Sequence, residues 1–215
     1  MLLHYWGHSF FTVTTEKNTV IAFDPYGDFY DYPKRQIAAD VCVISHHHHD
    51  HDGVSSLTGE YKIIDTAGKV QPAPDVRLTG ITCCHDHHNG AHRGQNLLFV
   101  LESEGLRIAH LGDLGHIPTP AQVRELGRVD VLLLPVGGYY TIDAEIAAQT
   151  AAALRPRIVI PMHYKTAVNP DWPIAGPEEF LRRMGAENTA PMSLLRVTKA
   201  DLSQQPALAL LEWER

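Results

Sequence analysis
Histidine, the most common metal-binding side chain, occurs 14 times in this 215-residue chain, more than an even share among twenty residue types would give. Nine of the 14 fall in two windows, 46–51 and 85–92. The first window, Ser45-His46-His47-His48-His49-Asp50-His51-Asp52-Gly53, holds the spacing H-x-H-x-D-H. Side chains alternate faces along an extended segment, so His46 and His48 point the same way and can share one ion, while His47 and His49 point elsewhere. Asp50 and His51 then turn toward a second ion. Imidazoles with one carboxylate suit Zn²⁺ first, or Mn²⁺ or Fe²⁺, over Mg²⁺ and Ca²⁺, which prefer all-oxygen ligation. A purification tag or a solvent-exposed histidine tract needs no Asp at a fixed offset, and this run is interior.

The elements that must position these residues begin with short strands. Leu2–Trp6, Phe10–Thr15 and Val20–Asp24 read as an antiparallel start, and Val41–Ile44 as a buried strand running straight into the histidine window. Gly53–Leu57 predicts a short helix, and Tyr61–Ile64 and Val76–Cys84 predict strands, the second ending at His85. Leu97–Leu101 and Leu106–Leu111 flank a turn at Ser103-Glu104-Gly105 and lead to Asp113. Helix Ala121–Leu126, strand Val129–Leu134, an Ala-rich helix through Leu154 capped by Thr141 or Asp143, and strand Arg157–Ile160 follow. Helix Pro177–Met184 and strands near Leu194–Val197 and Leu208–Leu211 complete the reading. Strands first, then βαβ alternation, then strands again predict two sheets packed on each other with helices outside, in a single domain spanning 1–215.

Each polar cluster comes directly after a predicted strand, and on these residues the chain resembles the metallo-β-lactamase fold superfamily. H-x-H-x-D-H follows an apolar strand, and His85, Asp113 in His110-Leu111-Gly112-Asp113, and His163 in Pro161-Met162-His163-Tyr164 follow in the family's order. The resemblance implies an α/β (α+β) fold, a four-layer αββα sandwich of two mixed β-sheets with helices on the outer faces. It also implies that His46, His48 and His85 hold one metal, that Asp50, His51 and His163 hold the other, and that Asp113 bridges them. His87 and His88 are alternatives to His85. Gly7-His8-Ser9, His85-Asp86, Arg93-Gly94-Gln95-Asn96 and Pro135-Val136-Gly137-Gly138 are similar to a group of small metal-dependent hydrolases related to the ascorbate-phosphate lactonase branch.

Two divalent ions a few ångströms apart lower the pKa of a shared water and present hydroxide to a carbonyl or phosphorus, so the expected enzyme opens a small ester, lactone or phosphoester. Asp50 could orient the hydroxide. Protonation of the leaving group falls to His88, His116 or Tyr140, with His8 and Tyr139 as further candidates. His4, His47, His49 and His110 read as packed, outer or exposed residues, and Asp86 as a turn residue or a histidine partner. Arg93 and Lys165 are cations that could meet a substrate phosphate or carboxylate, or form structural ion pairs. Tyr139-Tyr140 could form a pocket wall and Trp172 a flap. The alternatives are a phosphodiesterase or nuclease acting on nucleotides, and a non-catalytic metal- or ligand-sensing domain.

With 18 basic and 25 acidic residues the net charge is −7, which disfavours nucleic acid as a partner. The apolar runs are too short to span a membrane, and no secretory signal is visible at Met1-Leu2-Leu3-His4, so a cytoplasmic protein with a small-molecule substrate is expected, a homo-oligomer being compatible. Cys42, Cys83 and Cys84 lack C-x-x-C spacing and read as reduced, buried thiols.

Overall fold
A computed structural model of the chain describes residues 1–29 and 31–213. Its first sheet contains β1 (Leu2–Gly7), β2 (Phe10–Thr14), β3 (Val20–Phe23), β5 (Val41–Val43) and β7 (Lys62–Ile64), with β4 (Ile37–Ala38) and β6 (Leu57–Thr58) pairing apart from it. The second contains β8 (Gly68–Ala73), β9 (Val76–Cys84), β10 (Gln95–Ser103), β11 (Leu106–His110), β12 (Val131–Pro135) and β13 (Ile158–Met162). β14 (Leu194–Arg196) returns to the first sheet, giving the orders β14-β1-β2-β3-β5-β7 and β8-β9-β10-β11-β12-β13.

The two-residue period of a strand explains how the sheets pack. Leu3, Tyr5, Phe11, Val13, Ile21, Phe23, Val41 and Val43 face the second sheet in the main core, whereas Phe10, Ala22, Cys42 and Ile44 lie on the other side in a smaller cluster. β12 and β13 are buried at every position, as parallel strands covered on both faces must be. Helix α1 (Pro120–Leu126) packs on β9 and α2 (Ala144–Leu154) on β12, with α3 (Glu178–Arg183) against α2. α2 starts where Asp143 accepts the Ile146 N–H, and it buries Ala144, Ala147, Thr150, Ala151 and Leu154, one helical stripe of small residues that lets it lie close to the sheet.

The two mixed sheets and their outer helices agree with the sequence reading, with one difference of degree. On the outer side of the first sheet the helical layer shrinks to a 3-10 turn, Val54–Ser56, and Tyr26, Phe29 and Tyr32 from loops, with Leu57 of β6, cover the apolar positions instead. Leu208–Leu211 was expected as a strand, but only isolated bridges form there, Val159 with Leu208 and Met192 with Leu211. Edge strand β8 escapes a sequence reading because Gly68 and Pro72 break its pattern and its register shifts between Val70 and Ala73. The three cysteines are free thiols.

Strand direction positions the site. β1, β3, β5 and β7 run parallel to one another, as do β9, β11, β12 and β13. Their C-terminal ends deliver His8, Asp24, the 45–51 window, His85, Asp113, Tyr140 and His163 to one rim, the usual place for ligands on such sheets. A backbone hydrogen bond from His163 N–H to the His8 carbonyl, 2.8 Å, ties the two sheets together there.

Candidate metal centre
Asp113 stands at the middle of the rim, 2% exposed. Its Oδ2 lies 3.2 Å from His85 Nε2, 3.3 Å from His163 Nε2 and 4.0 Å from His46 Nε2, and its Oδ1 lies 3.2 Å from His51 Nε2. Around it, three overlapping sets of donor atoms each lie within 4.8 Å of one another: His46, His48 and His85; His46, His51 and Asp113; and His8, Asp50, His51 and His163. The structure therefore brings together all seven sequence-derived ligand candidates and adds His8.

The donor set fits cations. His46 Nε2, His51 Nε2 and Asp113 Oδ1 are buried without a hydrogen-bond partner, an arrangement that is costly unless a cation occupies the space they share. The remaining ring nitrogens fix which atoms face inward. Ser45 Oγ donates its proton to Asp24 Oδ2, 2.7 Å, so it accepts from His46 Nδ1–H, 2.9 Å, and leaves the His46 Nε2 lone pair toward Asp113. His51 Nδ1–H donates to the same Asp24 oxygen, 2.9 Å, with the same result. A carboxylate behind a ligating histidine in this way raises its basicity and holds its ring angle.

The electrostatics follow from these contacts. Burial disfavours charge on His51, but Asp113 and Asp24, one at each ring nitrogen, outweigh it and raise its pKa well above the usual imidazole value. Burial would raise Asp113, yet His163 and His51 hold it well below the usual carboxylate range. Burial and then neighbouring His51 press His46 down to about 2, the neutral form a ligand needs. His8, fully buried, is lowered to about 4 by burial and then by His163, with its Nε2 at 3.1 Å from Asp50 Oδ2. The site has two unlike parts: His48 is exposed and Asp50 half-buried, whereas His51 and His163 are closed off from solvent.

Local backbone makes this crowding feasible. Gly112, at φ 51°, passes so close to the window that an added Cβ would sit 2.6 Å from Ser45 Cβ. Asn96 fixes the turn that follows, donating to the Leu111 carbonyl and accepting the Asp113 N–H, both at 3.0 Å. Asp24, Ser45 and Asn96 all went unassigned in the sequence, because an Asp after a strand and a Ser or Asn in a loop are ordinary turn residues until their partners are known.

The candidate proton donors separate. Tyr140 lines the cavity over the ligands together with His48, Asp50, His85, His163 and Trp172. His88 is exposed, its ring tilted against His87 and edge-on to His92 outside that cavity. His116 accepts the Cys84 N–H at Nε2, 3.2 Å, and turns Nδ1 to the Ile117 carbonyl, 2.8 Å, so both ring nitrogens are engaged by backbone. Neither histidine is brought to the metal-facing atoms. His110 is also satisfied internally, bonded to Ser9 and Gly112 and stacked on Phe23 at 5.3 Å. His47, 62% exposed, meets Asp52 and Asp65 at the surface.

Two mixed sheets carrying a histidine–aspartate cluster at the ends of their parallel strands define a hydrolase of the metallo-β-lactamase fold. The family model of the β-lactamase superfamily domain matches residues 2–163, and the chain belongs to that family. It is 32% identical to a UPF0173 metal-dependent hydrolase of Anaeromyxobacter dehalogenans, with 83% of this chain and 78% of the relative covered. A UPF0173 metal-dependent hydrolase of Thermococcus kodakarensis is 31% identical, with 84% and 91% covered. Among solved structures, a Thermotoga maritima protein described as a Zn-dependent hydrolase of the metallo-β-lactamase superfamily superposes with a TM-score of 0.79 at 32% identity, covering 98% of this chain and 97% of that one. No helix among the described residues is long and apolar enough to cross a membrane.

Proposed function
We propose that this chain hydrolyses a small ester, lactone or phosphoester at a two-metal centre. In this reading His46, His48 and His85 hold one ion, Asp50, His51 and His163 the other, and Asp113 lies between them. Zinc suits the imidazole-rich set best, with manganese or iron as alternatives. The observation that carries the reading is the Asp113 carboxylate, within 3.2–4.0 Å of imidazole nitrogens from both sets and bearing an oxygen with no hydrogen-bond partner. When bound, the ions would supply an acidified water and polarise the oxygen on which charge develops.

The protein's own residues do the rest. Asp24 and Ser45 keep His46 and His51 in the tautomer that turns Nε2 inward. Asp50, backed by His8, keeps an oxygen toward the cavity that can orient an attacking water. Tyr140 carries a phenolic proton at the cavity wall, available to the departing oxygen, and Trp172 narrows the opening beside it. The cavity, about 390 Å³, suits a small molecule.

The test is a screen of esters, lactones and phosphoesters with metal-depleted protein reloaded with zinc, manganese or iron. Hydrolysis that chelation abolishes and one of these ions restores is expected. Tight metal binding with no turnover of any member would overturn the reading in favour of a ligand-sensing domain.

A further inference from the structure
The strongest unassigned feature is Arg93, at the seam between the metal cavity and a second cavity of similar size lined by Arg93, His116, Ile117, Tyr139, Ile142 and Ile146 among others. Arg93 is the sole lysine or arginine on either wall. Its guanidinium lies 5.6 Å from the Tyr140 ring centroid, and among the described residues it makes no side-chain hydrogen bond or ion pair. Four other arginines are ion-paired. Arg107 meets Glu102, Arg128 meets Asp130, and Arg182 and Arg183 meet Glu179.

The nearby acid is already committed. Asp86 accepts the backbone N–H groups of His88, Gly90, His92 and Arg93 at 2.7–2.9 Å, which fixes the loop carrying Arg93 while filling the carboxylate. The result is a half-buried cation on a braced loop, facing a site, in a chain whose net charge is −7. A partly desolvated guanidinium with no direct ion pair gains when a two-oxygen anion docks on its fork of donors.

We propose that Arg93 recognises an anionic arm of the substrate, a carboxylate or a phosphate, held at the seam while the group to be cleaved lies over the ligands; this rests on the hydrolase reading above. The arm's apolar stem runs along Tyr140, and the second cavity takes whatever extends beyond it. Specificity then comes from Arg93 and the face of the Tyr140 ring, while the metal ligands and the Tyr140 hydroxyl serve the cleavage.

The test is calorimetry on zinc-loaded protein with three probes: glutarate, 4-phosphonobutyrate, and glutaramate, whose distal carboxylate is replaced by an amide. All three keep one carboxylate for the metal side. The wild type is expected to bind at least one dianion about tenfold more tightly than glutaramate, as a hydrogen-bonded charge pair implies. Arg93→Gln should erase that preference without changing metal content, and Arg93→Lys should restore part of it, since a point charge lacks the fork. Whichever dianion responds identifies the arm. An unchanged preference in Arg93→Gln, or equal binding of all three probes to the wild type, would overturn the proposal. The two readings fail separately: an empty hydrolysis screen leaves an Arg93-dependent preference standing, and a missing preference leaves any hydrolysis standing.

Discussion
The two sheets are built alike. Each places an antiparallel edge strand beside two hairpin-linked pairings and ends in two parallel pairings, so β1, β2, β3, β5 and β7 correspond to β9, β10, β11, β12 and β13. Corresponding strand ends carry His8 and His85, then Asp24 and Asp113, then the 45–51 window and Tyr139-Tyr140, then Asp65 and His163. The two aspartates differ in one respect, on which their proposed roles rest. Asp24 has both oxygens bonded, to Ser45 N–H, Ser45 Oγ and His51 Nδ1, whereas Asp113 keeps Oδ1 without a hydrogen bond and meets the Nε2 atoms of His46, His51, His85 and His163 at 3.2–4.0 Å. Equivalent scaffold positions can hold a ligand from behind or hold a cation directly, and the state of the oxygens tells which.

Substitutions at paired positions test that difference. Asp113→Ala should abolish binding of both ions, read as metal content near zero per chain; two retained ions would make Asp113 a support like Asp24. His85→Ala should leave one ion, because His51, His163 and Asp50 remain, and metal analysis giving two would move the ligand role to a neighbouring histidine. Asp24→Asn keeps the shape but removes the charge behind His51, and should weaken metal affinity about 10–100-fold while leaving two ions at saturation. An unchanged affinity would mean that the His51 tautomer is fixed by other means. Asp65→Asn, at the partly exposed counterpart of His163, should leave metal affinity unchanged and alter stability by less than about 0.5 kcal/mol, since its partner His47 is itself exposed. A loss of metal there would extend the site to a fourth strand end of the first sheet.

Much of this arrangement was legible in the sequence because ligand chemistry is restrictive. Few residue types bind zinc, and H-x-H-x-D-H behind the apolar Val41–Ile44 run left little freedom in reading His46, His48, Asp50 and His51. The strands that deliver His85, Asp113 and His163 were visible from apolar runs ending at polar residues. Supporting residues were not, since Asp24 does its work through Ser45 and His51, contacts that exist only after the sheets close. The proton-donor candidates failed to separate for a related reason. His88 and His116 resemble catalytic histidines by position alone, and only the backbone contacts of His116 and the exposure of His88 distinguish them from Tyr140. The aromatic cover over the first sheet was hidden because Tyr26, Phe29 and Tyr32 lie in a loop without periodicity, where a helix would have announced itself by a repeating apolar face.

The central claim concerns where cations sit, so the most direct measurement is anomalous diffraction at the zinc edge from crystals of zinc-loaded protein. Two peaks flanking the Asp113 carboxylate are expected, one among His46, His48 and His85 and the other among Asp50, His51 and His163. A single peak away from Asp113, or none at full zinc loading, would contradict the account.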